Sequence, residues 1–212
     1  MRTHVTIIDF KTAKPVEAEV FDEVTVDHFL EAQQEWRPIV LRAARELARR
    51  GARELIPQHL HWDWTSKAPQ LNVLANIFYG VSYDGKLQGL MKVETVGEYC
   101  RCRLPEQDGK PLVYVDYLEV APWNLKPLAE ALGNTPRFKA VGSRLVEAAV
   151  LKSVEEEFKG RVGLHSLPMS EQFYLRVCGM TAVGRDVAKQ NLLWLEYTPE
   201  QAGRFLSGVR KP

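Results

Sequence analysis

Between residues 112 and 167 the hydrophobic period of the chain changes twice, and this limits the fold more than any other feature. Residues 112–120 are the strongest strand signal, a β-branched and aromatic run that Pro122 stops. From Val141 the apolar side chains Leu145, Ala148, Leu151, Val154 and Phe158 recur at steps of three and four, a helical stripe that ends at Gly160. Residues 161–167 then return to a strand pattern. A helix between two strands implies an α/β or α+β architecture.

The flanking segments fit that frame. Residues 5–10 and 16–20 alternate like strands around a polar break at 11–15, as a hairpin or two short strands. From Asp27 the positions Phe29, Ala32, Trp36, Val40, Ala43 and Leu47 form one helical face that Gly51 ends. Pro38 either heads a second helix or kinks a single long one. Residues 57–70 suggest a short helix followed by a loop. Residues 77–83 and 86–94 flank Asp84-Gly85, a strong hairpin signal because this pair supplies the positive φ of a tight turn. Residues 99–104 are expected to extend the sheet, 106–110 to turn, and 125–132 to give one or two helical turns. Short helices are expected at 170–178 and 199–206, and final strands at 181–183 and 192–197. No repeat or linker appears, so the expectation is one domain over residues 27–212, with residues 1–26 as a strand extension packed on it.

Composition narrows the function classes. With 45% hydrophobic and 26% charged residues, a chain of 212 residues has the make-up of a globular protein. The 28 Lys and Arg balance 27 Asp and Glu, which makes nucleic acid an unlikely partner. No apolar run reaches the ~20 residues of a membrane span, and the first residues lack a signal-peptide pattern, so a cytoplasmic protein without membrane contact is expected. Cys100, Cys102 and Cys178 are too few and too odd for a disulfide framework, and fit free thiols in a reducing compartment. Neither Cys100-x-Cys102 nor His59-x-His61 has the further ligands a metal site needs, so no metal is expected.

Chemistry concentrates after Pro122. The helix there opens with Arg137, Phe138, Lys139, Ala140, Val141, Gly142, Ser143 and Arg144. Free amides at a helix N-terminus, small residues over the first turn and three basic side chains suit a phosphate or pyrophosphate. The alternative is that Gly142 merely permits close packing of helix on sheet. The segment is neither a Walker loop nor a dinucleotide fingerprint, since the glycines and the Gly-Lys-Ser/Thr run of those motifs are missing.

A second segment points the same way. Residues 170–180, Ser-Glu-Gln-Phe-Tyr-Leu-Arg-Val-Cys-Gly-Met, resemble the A-x-x-F-Y-x-x-x-G-F signature of the GNAT superfamily of acyl-CoA-dependent N-acyltransferases. Residues 137–142 resemble the Gln/Arg-x-x-Gly-x-Gly/Ala pyrophosphate loop of that superfamily, and the order of elements over residues 27–197 is similar. Ala140 stands where the family has a glycine, Ser170 where it has an alanine, and Leu167 where an asparagine is frequent. The connection over residues 123–136 is longer than the family's usual one and is expected to add a wall to the site.

The resemblance implies a mixed, mostly antiparallel, splayed sheet flanked by helices, here with an extra N-terminal strand hairpin. It implies acetyl-CoA or another acyl-CoA as cofactor. Main-chain groups around Leu118 and Val120 would pair with the pantetheine amides, exposed by a bulge. The amides of Phe138, Lys139, Ala140, Val141, Gly142, Ser143 and Arg144 would hold the pyrophosphate, with Arg137 and Arg144 adding charge. Acyl transfer to an amine with a pKa near ~10.4 benefits from a base, because only about one amine in 10³ is neutral at pH 7. Glu119 is the first candidate, with Asp116 and His165 behind it. Alternatively, Glu119 is an exposed strand carboxylate and His165 a hydrogen-bonding residue. Tyr174 is the expected proton donor to the departing thiolate, or else a half-buried core tyrosine. Trp36, Trp62 and Trp64, with His59 and His61, fall in the region that covers the acceptor side, although Trp36 also fits the apolar face of its helix.

The function these readings imply is direct transfer of an acetyl group from acetyl-CoA to a primary amine of a small molecule in a ternary complex, with a homodimer left open. The rivals are a non-catalytic acyl-CoA-binding or partner-binding protein of the same fold, and an acyltransferase acting on a protein or a charged tRNA.

Overall fold

The computed structural model describes residues 2–208; Met1 and residues 209–212, the outer ends of the two expected domain ranges, lie outside the described residues. The architecture is mixed α/β, nine strands of a mostly antiparallel sheet with flanking helices. The chain divides into two compact units that interleave in sequence. One holds the residues up to Val73 together with Phe78–Leu90 and Leu118–Leu145; the other holds Leu74–Ile77, Met91–Tyr117 and everything from Val146. Among the described residues no helix is long and apolar enough to cross a membrane.

In the first unit, β1 (Arg2–Asp9) and β2 (Pro15–Phe21) form the antiparallel hairpin read from their alternation, in register from Arg2↔Phe21 to Ile8↔Pro15. β2 pairs with β3 (Asn76–Tyr83), and β3 turns into β4 (Lys86–Glu94) through Asp84 and Gly85, whose φ of 51° and 69° are those the turn requires. The other edge of β1 pairs with β6 (Phe138–Lys139), a two-residue strand.

Residues 26–49 form one helical run in three parts: α1 (Val26–Glu31), a π-helical turn (Ala32–Trp36) and α2 (Arg37–Arg49). Pro38 sits in the first turn of α2. Proline cannot donate to the carbonyl four residues back and its ring clashes there, so a wider turn just before it lets the helix continue. On α2, Val40, Ala43 and Leu47 pack on Leu128 and Ala131 of α3 (Lys126–Ala131). Each Leu or Val buried this way contributes roughly 1.5–3 kcal/mol.

β5 (Val113–Val120) belongs to the second unit as far as Tyr117, and there it runs parallel to β7 (Val162–Ser166), with Val113, Tyr114 and Val115 opposite Val162, Gly163 and Leu164. β9 (Leu192–Glu196) is antiparallel to β7 and to β8 (Thr181–Asp186), with a bulge between Ala182 and Gly184. Cys100, Cys102, Leu112, Tyr114 and Trp194 form one core cluster. α4 (Val141–Glu155) and α5 (Pro199–Leu206) complete the helices.

Three sequence expectations are corrected. Residues 99–104 form no strand, only an isolated bridge between Arg101 and Pro111. Their amides are used otherwise: Arg103 and Leu104 donate to the buried Glu196 carboxylate, and Cys102 donates to the Lys110 carbonyl. Residues 57–64 are turns, and the helical part, a 3₁₀ segment, comes after them at Thr65–Asn72. Asp63 fixes that start by accepting from the Thr65 amide at 2.8 Å and the Thr65 hydroxyl at 2.6 Å. The helix expected to open at Arg137 begins at Val141, because Phe138 and Lys139 pair with β1.

Gly80 exposes a packing constraint in the first unit. A Cβ there would lie 2.2 Å from Cζ of the buried Phe21 ring, its cross-strand partner. Gly80→Ala should therefore cost roughly 1–3 kcal/mol in urea unfolding, the usual penalty of overpacking. In a Phe21→Leu background the added methyl should cost less, and an equal cost in both backgrounds would show that the ring is not the obstacle.

Candidate acyl-transfer site

The connector between β5 and α4 is anchored at both ends by one buried side chain of β4. Gln88 accepts at Oε1 from Trp123 Nε1 (2.8 Å) and from Asn124 Nδ2 (3.1 Å). Asn124 Oδ1 accepts from the Phe138 amide at 3.0 Å, and the Trp123 carbonyl accepts from the Arg137 amide at 2.9 Å. β1 holds the same stretch from the other side, with the Phe10 amide donating to the Arg137 carbonyl at 2.8 Å. Ala140 follows at φ 71°, a left-handed conformation that costs an alanine about 1–2 kcal/mol and a glycine nothing.

Its carbonyl accepts from the Arg144 amide at 3.0 Å, so Val141, Gly142 and Ser143 supply the leading amides of α4, which have no carbonyl in a preceding turn to reach. Their positive dipole end suits an anion. Of the basic side chains, Arg137 lies with its guanidinium 5.0 Å from the Phe138 ring centroid and is exposed. Lys139 lies over Phe10. Arg144 donates from Nε to the Thr6 carbonyl at 2.9 Å, so β1 takes up part of its donor set.

Glu119 lies in the same unit. The residues on either side of it, Leu118 and Val120, are half-buried, but Glu119 itself is only 9% exposed. It accepts from Trp64 Nε1 at 2.6 Å, and its second oxygen lies 3.6 Å from His59 Nε2. Burial pushes the carboxyl up to about 7, against the opposing pull of the Trp64 hydrogen bond and the Lys67 charge. Burial also pushes His59 down to about 4, helped by the charge of His61. A neutral imidazole therefore sits beside a carboxyl that titrates near neutrality.

Trp36, Trp62 and Trp64 gather around this pair. They line a narrow cavity of about 20 Å³ with His59 and Glu119, roughly room for one water molecule. Trp36 and Trp64 are each 2% exposed. Trp36 meets Trp123 edge to face, as its place on the apolar helix face anticipates, and the Trp62 ring lies 5.2 Å from the His59 ring. Among the described residues, Trp36 Nε1 and His59 Nε2 are buried without a hydrogen-bond partner, and no group of three or more His, Cys, Asp or Glu side chains is placed to hold a metal ion.

The remaining candidates lie in the second unit. Asp116 accepts from Lys92 Nζ at 2.8 Å, and the same ammonium donates to Glu94 at 2.6 Å. His165 has both ring nitrogens engaged, Nε2 with Asp186 Oδ2 and Nδ1 with the Tyr114 hydroxyl, each at 3.0 Å. Asp186 also accepts from Arg103 at 2.7 Å. Tyr174 is buried in the π-helical segment Phe173–Cys178, which Gly179 closes at φ 75°. Burial raises its phenol well above the usual range, so it stays protonated. Sequence reasoning missed Gln88 and the pairing of His59 with Glu119. A glutamine inside the apolar run of β4 was a readable sign of a buried polar tie, whereas nothing in the spacing joined His59 to Glu119 across sixty residues.

No protein-family model matches the chain, and no curated protein does. Solved structures do. An uncharacterized protein from Bacillus halodurans aligns over 97% of this chain and 97% of its own, at 10% identity and a TM-score of 0.53. An acetyltransferase of the GNAT family from Listeria monocytogenes aligns over 91% of this chain and 99% of its own, at 13% identity and a TM-score of 0.50. PaiA N-acetyltransferase from Thermoplasma acidophilum, solved in complex with coenzyme A, aligns over 86% and 99% at 12% identity and a TM-score of 0.47. At these identities the likeness is one of fold: the chain folds as GNAT acetyltransferases do.

The buried carboxyl makes stability depend on pH in a defined direction. Because the folded pKa of Glu119, about 7, lies above its ordinary 4.5, the native state holds a proton that the unfolded chain releases. The resulting stabilisation is complete below pH 4.5 and is lost as pH rises through 7, by roughly 3 kcal/mol at 1.36 kcal/mol per pKa unit. Glu119→Gln keeps an oxygen for Trp64 and removes the titration. The stability of this variant relative to the parent should therefore rise between pH 5 and pH 8.5 in urea unfolding, and a difference that stays flat would refute the raised pKa.

Proposed function

We propose that this chain transfers an acetyl or related acyl group from its coenzyme A thioester to the primary amine of a small molecule, directly and in a ternary complex. The observation that carries the proposal is Glu119, a buried carboxyl titrating near neutrality beside a neutral imidazole, in a chain with the GNAT fold. A general base works best with a pKa near the working pH, and Glu119 meets that condition. Asp116 and His165 are less suited, since each is held by charged or hydrogen-bonding neighbours of its own.

In the reaction the amine nitrogen attacks the thioester carbonyl carbon, the carbon–sulfur bond breaks, and the nitrogen loses one proton while the thiolate gains one. Glu119, ionised, takes the proton from nitrogen directly or through a water molecule. Tyr174 is assigned to the sulfur by the resemblance of its Phe-Tyr segment. Its high pKa favours a strong hydrogen bond to the developing thiolate over early release of the proton. The leading amides of Val141, Gly142 and Ser143 are assigned to the pyrophosphate, with Arg137 as the nearby exposed charge. The pairing of β5 with β7 ends at Val115, which supports Leu118 and Val120 as main-chain partners of pantetheine.

Two variants test the proposal. Gly142→Glu puts a side chain and a like charge at the proposed phosphate position and should abolish coenzyme A binding in calorimetry. Tight binding by the folded variant would remove the loop from the site. Tyr174→Phe should lower turnover by roughly 10², with coenzyme A affinity little changed. In the parent, kcat/KM should fall as pH drops below about 7, where Glu119 becomes protonated, and this limb should vanish in Glu119→Gln. A parent profile flat from pH 5.5 to 8 would dismiss Glu119 as the base.

A further inference from the structure

The long connector borders an open cavity that shares only Arg137 with the acyl-transfer reading. Its volume is about 360 Å³, within the roughly 300–1,000 Å³ of small-molecule sites. One wall is apolar: Trp123, Leu128 and Leu132 of the connector face Ile39 of α2. Leu128 is fully buried and Trp123 is held by its bond to Gln88 and its contact with Trp36, so the wall is rigid before anything binds.

The rim is cationic. Lys11 from the β1–β2 turn, Arg42 from α2 and Arg137 all border the cavity. Among the described residues, no carboxylate lies within ion-pair distance of these three, nor of Arg37 and Arg45 on α2, whereas Arg49 pairs with Glu46 and Lys126 of α3 with Glu130. Asp9 is the one acidic residue in the lining; its Oδ1 accepts from the Thr12 amide at 2.7 Å and the Thr12 hydroxyl at 2.8 Å, which hold it ionised, and its charge is attracted to Arg137. The cavity thus joins an apolar wall to three positive charges from separate elements, with Asp9 as the single opposing charge, beside Arg137.

We propose that this cavity binds a small amphipathic anion, a carboxylate carried on an aromatic or short aliphatic body. The carboxylate would lie between Arg42 and Lys11, and the body against Trp123 and Leu128. A bare phosphate satisfies the rim and leaves the apolar wall hydrated; an amine of the same shape meets three like charges against the one carboxylate of Asp9. The site shares Arg137 with the loop assigned to pyrophosphate, but it uses neither Glu119 nor the leading amides of α4, and its carboxylate position lies between Arg42 and Lys11.

Calorimetry on the full chain tests it with phenylacetate and hexanoate as probes, and with benzylamine and inorganic phosphate as controls. Phenylacetate should bind at least tenfold more tightly than either control, since a charged pair and the apolar contact are both lost in one or other of them. Arg42→Glu, at an exposed position, should weaken it at least tenfold. Ala129→Phe, which fills the cavity, should abolish binding. Binding should persist when coenzyme A is saturating. Failure of both carboxylates to bind at 10 mM, equal binding of benzylamine, or indifference to Arg42→Glu would overturn the site. Displacement of phenylacetate by coenzyme A would also overturn it, by assigning the cavity to the cofactor, and would leave the acyl-transfer proposal standing.

Discussion

A single buried amide carbonyl organises the first unit. Gln88 Oε1 receives Trp123 Nε1 and Asn124 Nδ2, and through Asn124 it reaches the Phe138 amide, where the connector rejoins the sheet. Leaving these buried donors unpaired would cost about 1–3 kcal/mol each, so the connector is fixed at the point where it leaves β5 and again where it returns. Three things follow from that clamp. Phe138 and Lys139 lie beside β1 and form β6, Ala140 is forced into the left-handed region, and α4 starts at Val141, so its leading amides have no carbonyl in a preceding turn. The strain at Ala140 persists because the surrounding bonds over-determine it.

Electrostatics at Glu119 follows from the same economy of space. A carboxyl and an imidazole lie close together in a cavity with room for about one water, enclosed by indoles. Desolvation disfavours charge on both, so the acid is pushed up and the base is pushed down. In water at pH 7 the two would form an ion pair or stay solvated apart. Here the carboxyl changes charge close to neutrality and the imidazole stays uncharged, a combination suited to accepting a proton. The Trp64 indole prevents a larger shift by donating to the carboxylate.

The N-terminal hairpin, read from sequence as an addition to the domain, has a definite structural part. β1 supplies the partner strand for β6 and a carbonyl for Arg144, and Phe10, directly after it, supplies an amide for the Arg137 carbonyl. It therefore shapes the loop that the GNAT resemblance assigns to pyrophosphate. The basic side chains read there as a cluster are divided: Arg144 turns to β1, Lys139 lies on Phe10, and Arg137 borders the connector cavity.

Period and turn chemistry determined most of the elements by themselves. The alternation of β1 and β2, the Asp84-Gly85 hairpin, the stripe of α4 and the α5 helix all appear where the sequence puts them, because each rests on contacts or dihedrals within a few residues. The Phe-Tyr segment and the Arg137 to Gly142 loop made the fold readable for the same reason. Tertiary structure decided the rest. Residues 99–104 carry strand-like side chains, yet Glu196, more than ninety positions away, draws off their amides. Glu119 reads as an ordinary strand carboxylate until Trp64 and His59 close over it from about sixty residues away. Burial and hydrogen-bond partners are properties of groups that meet only when the chain has folded, and they decide pKa values, cavities and unpaired charges, while local propensity decides only where strands and helices begin.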